Sequence, residues 1–452
     1  MAEIPEPSTP AALAQLTLPK LHERRLPNGM LVAVAERRQI PLVAINLVFR
    51  SGAAREEPRK AGLADFVVEL LRRGTEKFSA EDIDERLELM GADLRLETGN
   101  DSTYVASTAP SEHLPPVLET IAEIVQRPTF PAREVEQARK RTLGRIQTEL
   151  DNPSSLAGDA ISRLAFGRHP YGLPAHGTLA SVKSFTRADC QRFFRDVYVP
   201  SEASLIIVGD VGVEEAFALA EKYFGKWKAP PVEHPSLASF QMPASPSILL
   251  VDKPEATQTQ IRIASRGPDR RYERLIPARL STQIFGGGFT SRLMDEIRVN
   301  RGLTYGISSY LFECEAGGLS LVSSYTKNES TRELIDVVLD LAAKYREEGP
   351  TDEELVRGQR YANGLFPLAI ETVDHMARAF AELKRYDRST DWIERYRERV
   401  LEVTTAQAKE EARRFILSEG LCIALVGSAK AIGKQVEGLG ALKVIPAKKL
   451  AS

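Results

Sequence analysis

The chain has 452 residues, 43% hydrophobic and 27% charged, which is enough apolar material for two large cores and excludes global disorder. Its 60 basic and 62 acidic residues leave a net charge of -2, so no strong field draws it to nucleic acid or to an anionic membrane. Cys190, Cys314 and Cys422 lie far apart, which excludes a disulfide framework or a paired-cysteine metal site and fits a reducing compartment.

No basic residue precedes Lys20, and the acidic, proline-rich residues 3–7 stand before the short apolar stretch 11–18, so no signal peptide is expected. The longest apolar run, residues 40–49, contains Asn46 and is too short to span a bilayer. A cytoplasmic location is expected, or a periplasmic one if a leader has been removed.

In chain order, β-rich runs at residues 30–35 and 42–49 predict two strands. A helix over 61–73 is stopped by Gly74, and a second begins at Ser79 with Glu81 and Asp82 in its first turn. Strands follow at 93–97 and 102–108, long helices near 114–126 and 132–151, and a strand at 203–208. Residues 227–247 carry Pro230, Pro231, Pro235, Pro243 and Pro246 with little periodicity, the composition of a semi-rigid linker. Then the order repeats: strands at 248–251 and 260–265, helices at 276–285 and 290–300, strands at 305–312 and 319–326. Helices at 331–348, 352–370 and near 406–417 follow, with a last strand at 423–426.

The repeat survives an offset check. Phe185-Thr-Arg-Ala-Asp189 and residues 205–209 parallel Val403-Thr-Thr-Ala-Gln407 and residues 423–427 at a shift of about 218. Ser107-Thr108 parallels Ser323-Ser324 at about 216. The expected organisation is an N-terminal domain over 18–228, a linker over 229–247 and a C-terminal domain over 248–452. The fold class is α+β: two homologous domains, each a mixed sheet packed by helices, arranged as a clamshell.

Two isolated features invite chemistry. Gly286-Gly287-Gly288 before a helix lacks the Lys-Ser/Thr of a phosphate loop and the spacing of a dinucleotide fingerprint, so a tight helix–helix turn is expected. Among the six histidines no two are four apart, so neither helical zinc arrangement exists. His169 and His176 share a Pro/Gly-rich loop, where turn or capping roles outweigh a metal clip.

Several short motifs in fixed order carry a resemblance. They are Leu26-Pro-Asn-Gly-Met30, Ser51-Gly-Ala with Glu56, Gly62-Leu-Ala with Phe66, Arg73-Gly-Thr75, Met90-Gly-Ala92, His169-Pro-Tyr-Gly172 with Gly177-Thr178, Ser291-Arg-Leu293, Glu296-Ile-Arg298, and Arg301-Gly-Leu with Tyr305. In this order, over nearly all of residues 26–426, the chain resembles the pitrilysin/insulinase metallopeptidases in their short bacterial form, related to the mitochondrial processing peptidase. The resemblance implies a zinc site: His-x-x-Glu-His on the helix after Gly-Leu-Ala, with a further Glu about 75 residues on. Here Asp65 and Glu69 stand at the two His positions, Val68 at the general base and Arg145 at the downstream ligand. These are degenerate zinc-site positions. No metal is expected in this chain, which should be inactive alone.

The family's second motif is intact. Its Arg/Tyr pair, Arg298 and Tyr305 here, is implied to donate hydrogen bonds to the substrate carbonyl across the cleft. From spacing alone, Tyr305 reads as an inward strand residue and Arg298 as a solvated helix residue. Some members carry zinc ligands without the pair and partner with chains that carry the pair without the ligands. The chain resembles the second kind: a non-catalytic subunit of a heterodimeric zinc-dependent endopeptidase, with peptide substrates and with zinc in a paralogous partner. The alternative is an inactive scaffold or peptide-binding protein; a stand-alone peptidase with unusual ligands is the third reading. The resemblance also implies strand addition of peptide at residues 93–97, and the Arg95-Leu96 pair there departs from the usual small residues. Sign for sign, a guanidinium replaces the metal between two acids. Arg145 is expected to bridge Asp65, Glu69 or both, against a local pairing of Glu69 with Arg72 or Arg73.

Overall fold

A computed structural model describes residues 18–230, 232 and 236–450. The first half contributes strands Leu21–Arg25 (β1), Leu31–Glu36 (β2), Leu42–Phe49 (β3), Arg95–Thr98 (β4), Thr103–Pro110 (β5) and Ala203–Gly209 (β6). The second contributes Ser247–Asp252 (β7), Gln258–Gly267 (β8), Ile307–Cys314 (β9), Gly317–Lys327 (β10), Cys422–Gly427 (β11) and Ala441–Pro446 (β12). They form two six-stranded mixed sheets, in the orders β1-β2-β6-β3-β5-β4 and β12-β7-β11-β8-β10-β9.

The repeat read from offsets is a repeat of topology. β2, β6, β3, β5 and β4 take the places that β7, β11, β8, β10 and β9 take in the second sheet. The helices feeding the central strands, Arg187–Val197 and Thr405–Phe415, open on the same device. Thr186 and Thr404 accept the N–H of Asp189 and Gln407, whose side chains return the bond. Only the outermost strands break the symmetry: β1 is antiparallel to β2, whereas β12 is parallel to β7. Both are largely exposed, β1 carrying Glu23, Arg24 and Arg25 and β12 only Lys443 as charged residues, and the sequence reading expected neither.

The central strands are apolar on both faces because both faces are covered. In β6, Leu205 and Ile207 join the first-half core with helices Leu63–Leu70 and Leu114–Gln126. Ile206 and Val208 face the other way, onto helix Val373–Arg385 of the second half, with Met376, Ala377 and Phe380. The exchange is reciprocal. Helix Pro153–Phe166 of the first half lays Leu156, Ala157 and Ala160 against Leu249, Val251, Ala424 and Val426 of the second sheet. Neither exchanged helix was among the expected elements.

Tyr171, from the His-Pro-Tyr-Gly motif, adds a polar tie between the halves. Its hydroxyl donates to Asp101 Oδ1 at 2.5 Å and accepts the Ala316 N–H at 3.1 Å. Between helix Val213–Phe224 and β7 the described residues form no helix or strand. Phe240 there is buried on Phe166, with ring centroids 4.5 Å apart. It also lies against Gly317 (φ +135°), where an added Cβ would meet the Phe240 ring at 2.6 Å. The N-terminal stretches 3–7 and 11–17, and Pro231, His234 and Pro235, lie outside the described residues. Among the described residues no helix is long and apolar enough to cross a membrane.

Candidate functional site

Gly62 opens helix Leu63–Leu70 with φ +87°, and a Cβ there would sit 2.5 Å from Gly177 Cα. The helix's free N–H groups at Gly62 and Ala64 donate to the Glu56 carboxylate at 2.9 and 2.6 Å. Burial pushes Glu56 up to about 8, against the pull of those two bonds. The helix holds Asp65 and Glu69 one turn apart, toward helix Ala132–Leu150.

Arg145 donates from Nη2 to Asp65 Oδ2, as expected from the sequence. Glu69 is taken by a residue that the sequence reading did not name: Arg141 reaches its Oε1 from Nη2 at 2.7 Å and from Nε at 2.9 Å. The local alternative is not realised, because Arg72 and Arg73 both turn to Asp84. For Arg145, burial works to lower the pKa, but the Asp65, Glu149 and Glu69 charges outweigh it and the net direction is upward.

This donor set does not fit zinc. It has no imidazole, a guanidinium holds each carboxylate, and Val68, 2% exposed, packs in the core with no proton-accepting atom. His169 and His176 serve other ends. His169 Nδ1 accepts the Tyr171 N–H at 3.2 Å and caps the turn Pro170–Gly172, whereas His176 Nε2 sits 3.0 Å from Glu149 Oε2.

Arg298 lies in helix Met294–Asn300, within the helix expected over 290–300 but wound wider. The Arg301 N–H bonds the Glu296 carbonyl five residues back, at 3.1 Å. Its guanidinium lies over the Phe289 ring, 5.4 Å from the centroid. Tyr305 stands before β9, not within a strand as expected, and is 81% exposed. The turn carrying it is pinned by Thr304 Oγ1, which accepts the Gly306 N–H at 3.1 Å and donates to the Gly306 carbonyl at 3.0 Å. The inward reading of Tyr305 from spacing alone therefore gives way, and Arg298 and Tyr305 line a single cavity of about 500 Å³.

The glycine turn Gly286–Gly288 walls that cavity and joins helix Leu275–Gly286 to the Arg298 segment, the turn role expected of it. Arg262 and Ser154 also line it, and the sequence reading passed over both. The available signal was an arginine inside the apolar strand run Ile261-Arg-Ile-Ala264. β4 is a sheet edge, paired only to β5. Its Arg95 binds Asp374 and its Glu97 binds Arg378, both on the exchanged helix.

Comparison with known proteins agrees across both halves. Residues 31–179 match the family model for insulinase (peptidase family M16), and residues 184–361 match the model for the M16 peptidase inactive domain. A Bacillus subtilis protein described as an uncharacterized zinc protease is 23% identical over 347 residues, covering 77% of this chain and 84% of the relative. A Mycobacterium tuberculosis protein of the same description is 26% identical over 397 residues, 86% of this chain and 90% of that one. Among solved structures, a peptidase M16 inactive domain from Pseudomonas fluorescens superposes with a TM-score of 0.85 at 25% identity, covering 90% of this chain and 98% of its own. A protease from Helicobacter pylori shares the fold at a TM-score of 0.86 and 18% identity, covering 91% and 100%.

Proposed function

Because the chain belongs to the insulinase (M16) family of peptidases, we propose that it is the non-catalytic subunit of a heterodimeric zinc-dependent endopeptidase. Zinc and the general base belong to a paralogous partner. This chain brings Arg298 and Tyr305 to the carbonyl of a peptide bound at the partner's zinc. A guanidinium and a phenol both donate hydrogen bonds, and both gain strength as negative charge grows on that oxygen during attack. Preset on a helix and a pinned turn, they need little reorganisation when the charge appears.

The observation that carries the reading is the contrast between the halves. Every position of the implied zinc site is neutralised or apolar, with Asp65, Glu69 and Arg145 in ion pairs and Val68, at the general base, buried. The Arg/Tyr pair, in contrast, stays available at a cavity mouth, with Tyr305 exposed and no carboxylate bonded to Arg298 among the described residues. A residue kept only for packing would be inside the sheet. Relatives described as zinc proteases support a peptidase context.

Reconstitution tests this. The purified chain should hydrolyse no peptide and hold no stoichiometric zinc. Mixed with a paralogous chain from its own host that bears His-x-x-Glu-His, it should form a 1:1 complex that cleaves. Peptide hydrolysis by the chain alone, sensitive to a zinc chelator, would contradict the proposal.

A further inference from the structure

The cavity at Arg298 carries more positive charge than carbonyl binding by Arg298 accounts for. Its lining holds two arginines, Arg262 and Arg298, and no aspartate or glutamate, in a chain whose acids outnumber its bases. Arg262 sits on β8 opposite Ser323 of β10, which in turn stands opposite Ser308 of β9. That row forms the cavity floor, just beyond the part of the sheet that helix Pro153–Phe166 covers.

Arg262 is 8% exposed, yet all its acceptors are neutral. Nη1 donates to the Ile261 carbonyl at 3.0 Å and the Ser324 carbonyl at 3.3 Å. Nη2 donates to Ser154 Oγ at 2.7 Å and to the Ser154 carbonyl at 3.4 Å. Burial lowers its pKa, and only the Tyr310 phenol acts in the other direction. Buried guanidinium groups are ordinarily paired, because an uncompensated buried charge is costly. Three other arginines drawn in from solvent follow that rule. Arg270 pairs with Glu313 and Glu382, Arg292 with Glu354, and Arg385 with Asp101 and Glu382. Arg298 likewise has no acidic partner among the described residues, and its guanidinium lies over the Phe289 ring.

We propose that this cavity binds a carboxylate of the peptide substrate, from an aspartate or glutamate side chain or from the peptide's C-terminus, between Arg262 and Arg298. The inference takes its ligand class, a peptide, from the function proposed above. A cavity of about 500 Å³ holds more than a small inorganic ion. Its rim presents the exposed rings of Phe289, Tyr305 and Tyr361, which suit the apolar parts of a peptide rather than a bare anion.

The test is peptide binding to the full chain without partner or zinc, read by fluorescence anisotropy. Three labelled peptides of one sequence are compared: amidated with one internal Glu, amidated with Gln in its place, and the Gln peptide with a free C-terminus. Binding of the first or the third about tenfold tighter than the second is expected, as for one charge-assisted hydrogen-bonded contact. Which of the two is tighter identifies the source of the carboxylate. Arg262→Gln should erase the preference. Because Arg262 also ties the halves together through Ser154, Ser308→Asp at the exposed end of the row serves as a second variant, and it too should erase the preference. Equal binding of all three peptides, no binding by any, or a preference that survives Ser308→Asp would each overturn the pocket. None of those results bears on reconstituted cleavage, so the two proposals fail separately.

Discussion

Glu56 is where single-residue chemistry shows most directly in stability. Burial raises its pKa to about 8 in the folded chain, against about 4.3 when unfolded. Between those values the folded state binds the extra proton, so its contribution to stability is full below about pH 4.3 and is lost as pH rises through about 8. Glu56→Gln mimics the protonated form. Urea midpoints between pH 5 and 8 should fall with pH in the wild type and fall less steeply in the variant; parallel curves would contradict the assignment. Arg145 makes a weaker claim on stability. Its pair with Asp65 is partly open, with side chains 43% and 29% exposed, so Arg145→Ala should cost only about 0.5–1 kcal/mol. Denaturant titration of Arg145→Ala against Arg145→Ala/Asp65→Ala checks this, the double variant regaining most of the loss because no unpaired acid remains beside Glu69 and Glu149. The Arg145–Asp65 contact was legible in the sequence because the charges at all the ligand positions had changed together. Arg141 was not, because nothing in a one-dimensional pattern says which arginine on a helix face reaches which acid. Arg262 is not legible, because its apolar neighbours mark only a strand and nothing in the sequence shows that the cation among them is buried.

The exchanged helices set the stability of the elements. Val373, Met376, Ala377, Phe380 and Ala381 recur at three- and four-residue intervals after the cap Thr372, so an amphipathic helix could have been read there. Which sheet it covers could not, because that contact joins residues more than 150 positions apart in the chain and leaves no local signature. The strands fared better: both halves' central strands are apolar on two faces, a run that survives any register. The outer strands β1 and β12 were not read because exposure removes that signal. Phe380 is fully buried on the first sheet although it belongs to the second half. Phe380→Ala should therefore cost about 3–5 kcal/mol. The far-UV and near-UV signals should lose stability together, because one helix couples both halves. A second transition appearing at the wild-type midpoint would show that the halves unfold separately.

At the scale of the whole molecule, duplication has let the two halves diverge in chemistry while keeping one topology. In the first half, the positions that the family resemblance assigns to zinc and its base are ion pairs and core. The second presents Arg298 on a wide helical turn and Tyr305 on a pinned loop at one cavity. The duplicated fold was legible because a shift of about 217 residues aligns capping boxes and central strands alike. The available Arg/Tyr site was only half legible: spacing named the residues, but their exposure depends on the turn geometry at Thr304 and Gly306. The measurement that tests the account most directly is turnover by the complex reconstituted with a zinc-bearing partner, using Arg298→Ala and Tyr305→Phe in this chain. Each should lower kcat by about 10²–10³ while leaving the complex assembled and its zinc bound, the loss typical of one removed oxyanion donor. Wild-type kcat in both variants would contradict the central claim that this subunit acts on the substrate at its partner's metal.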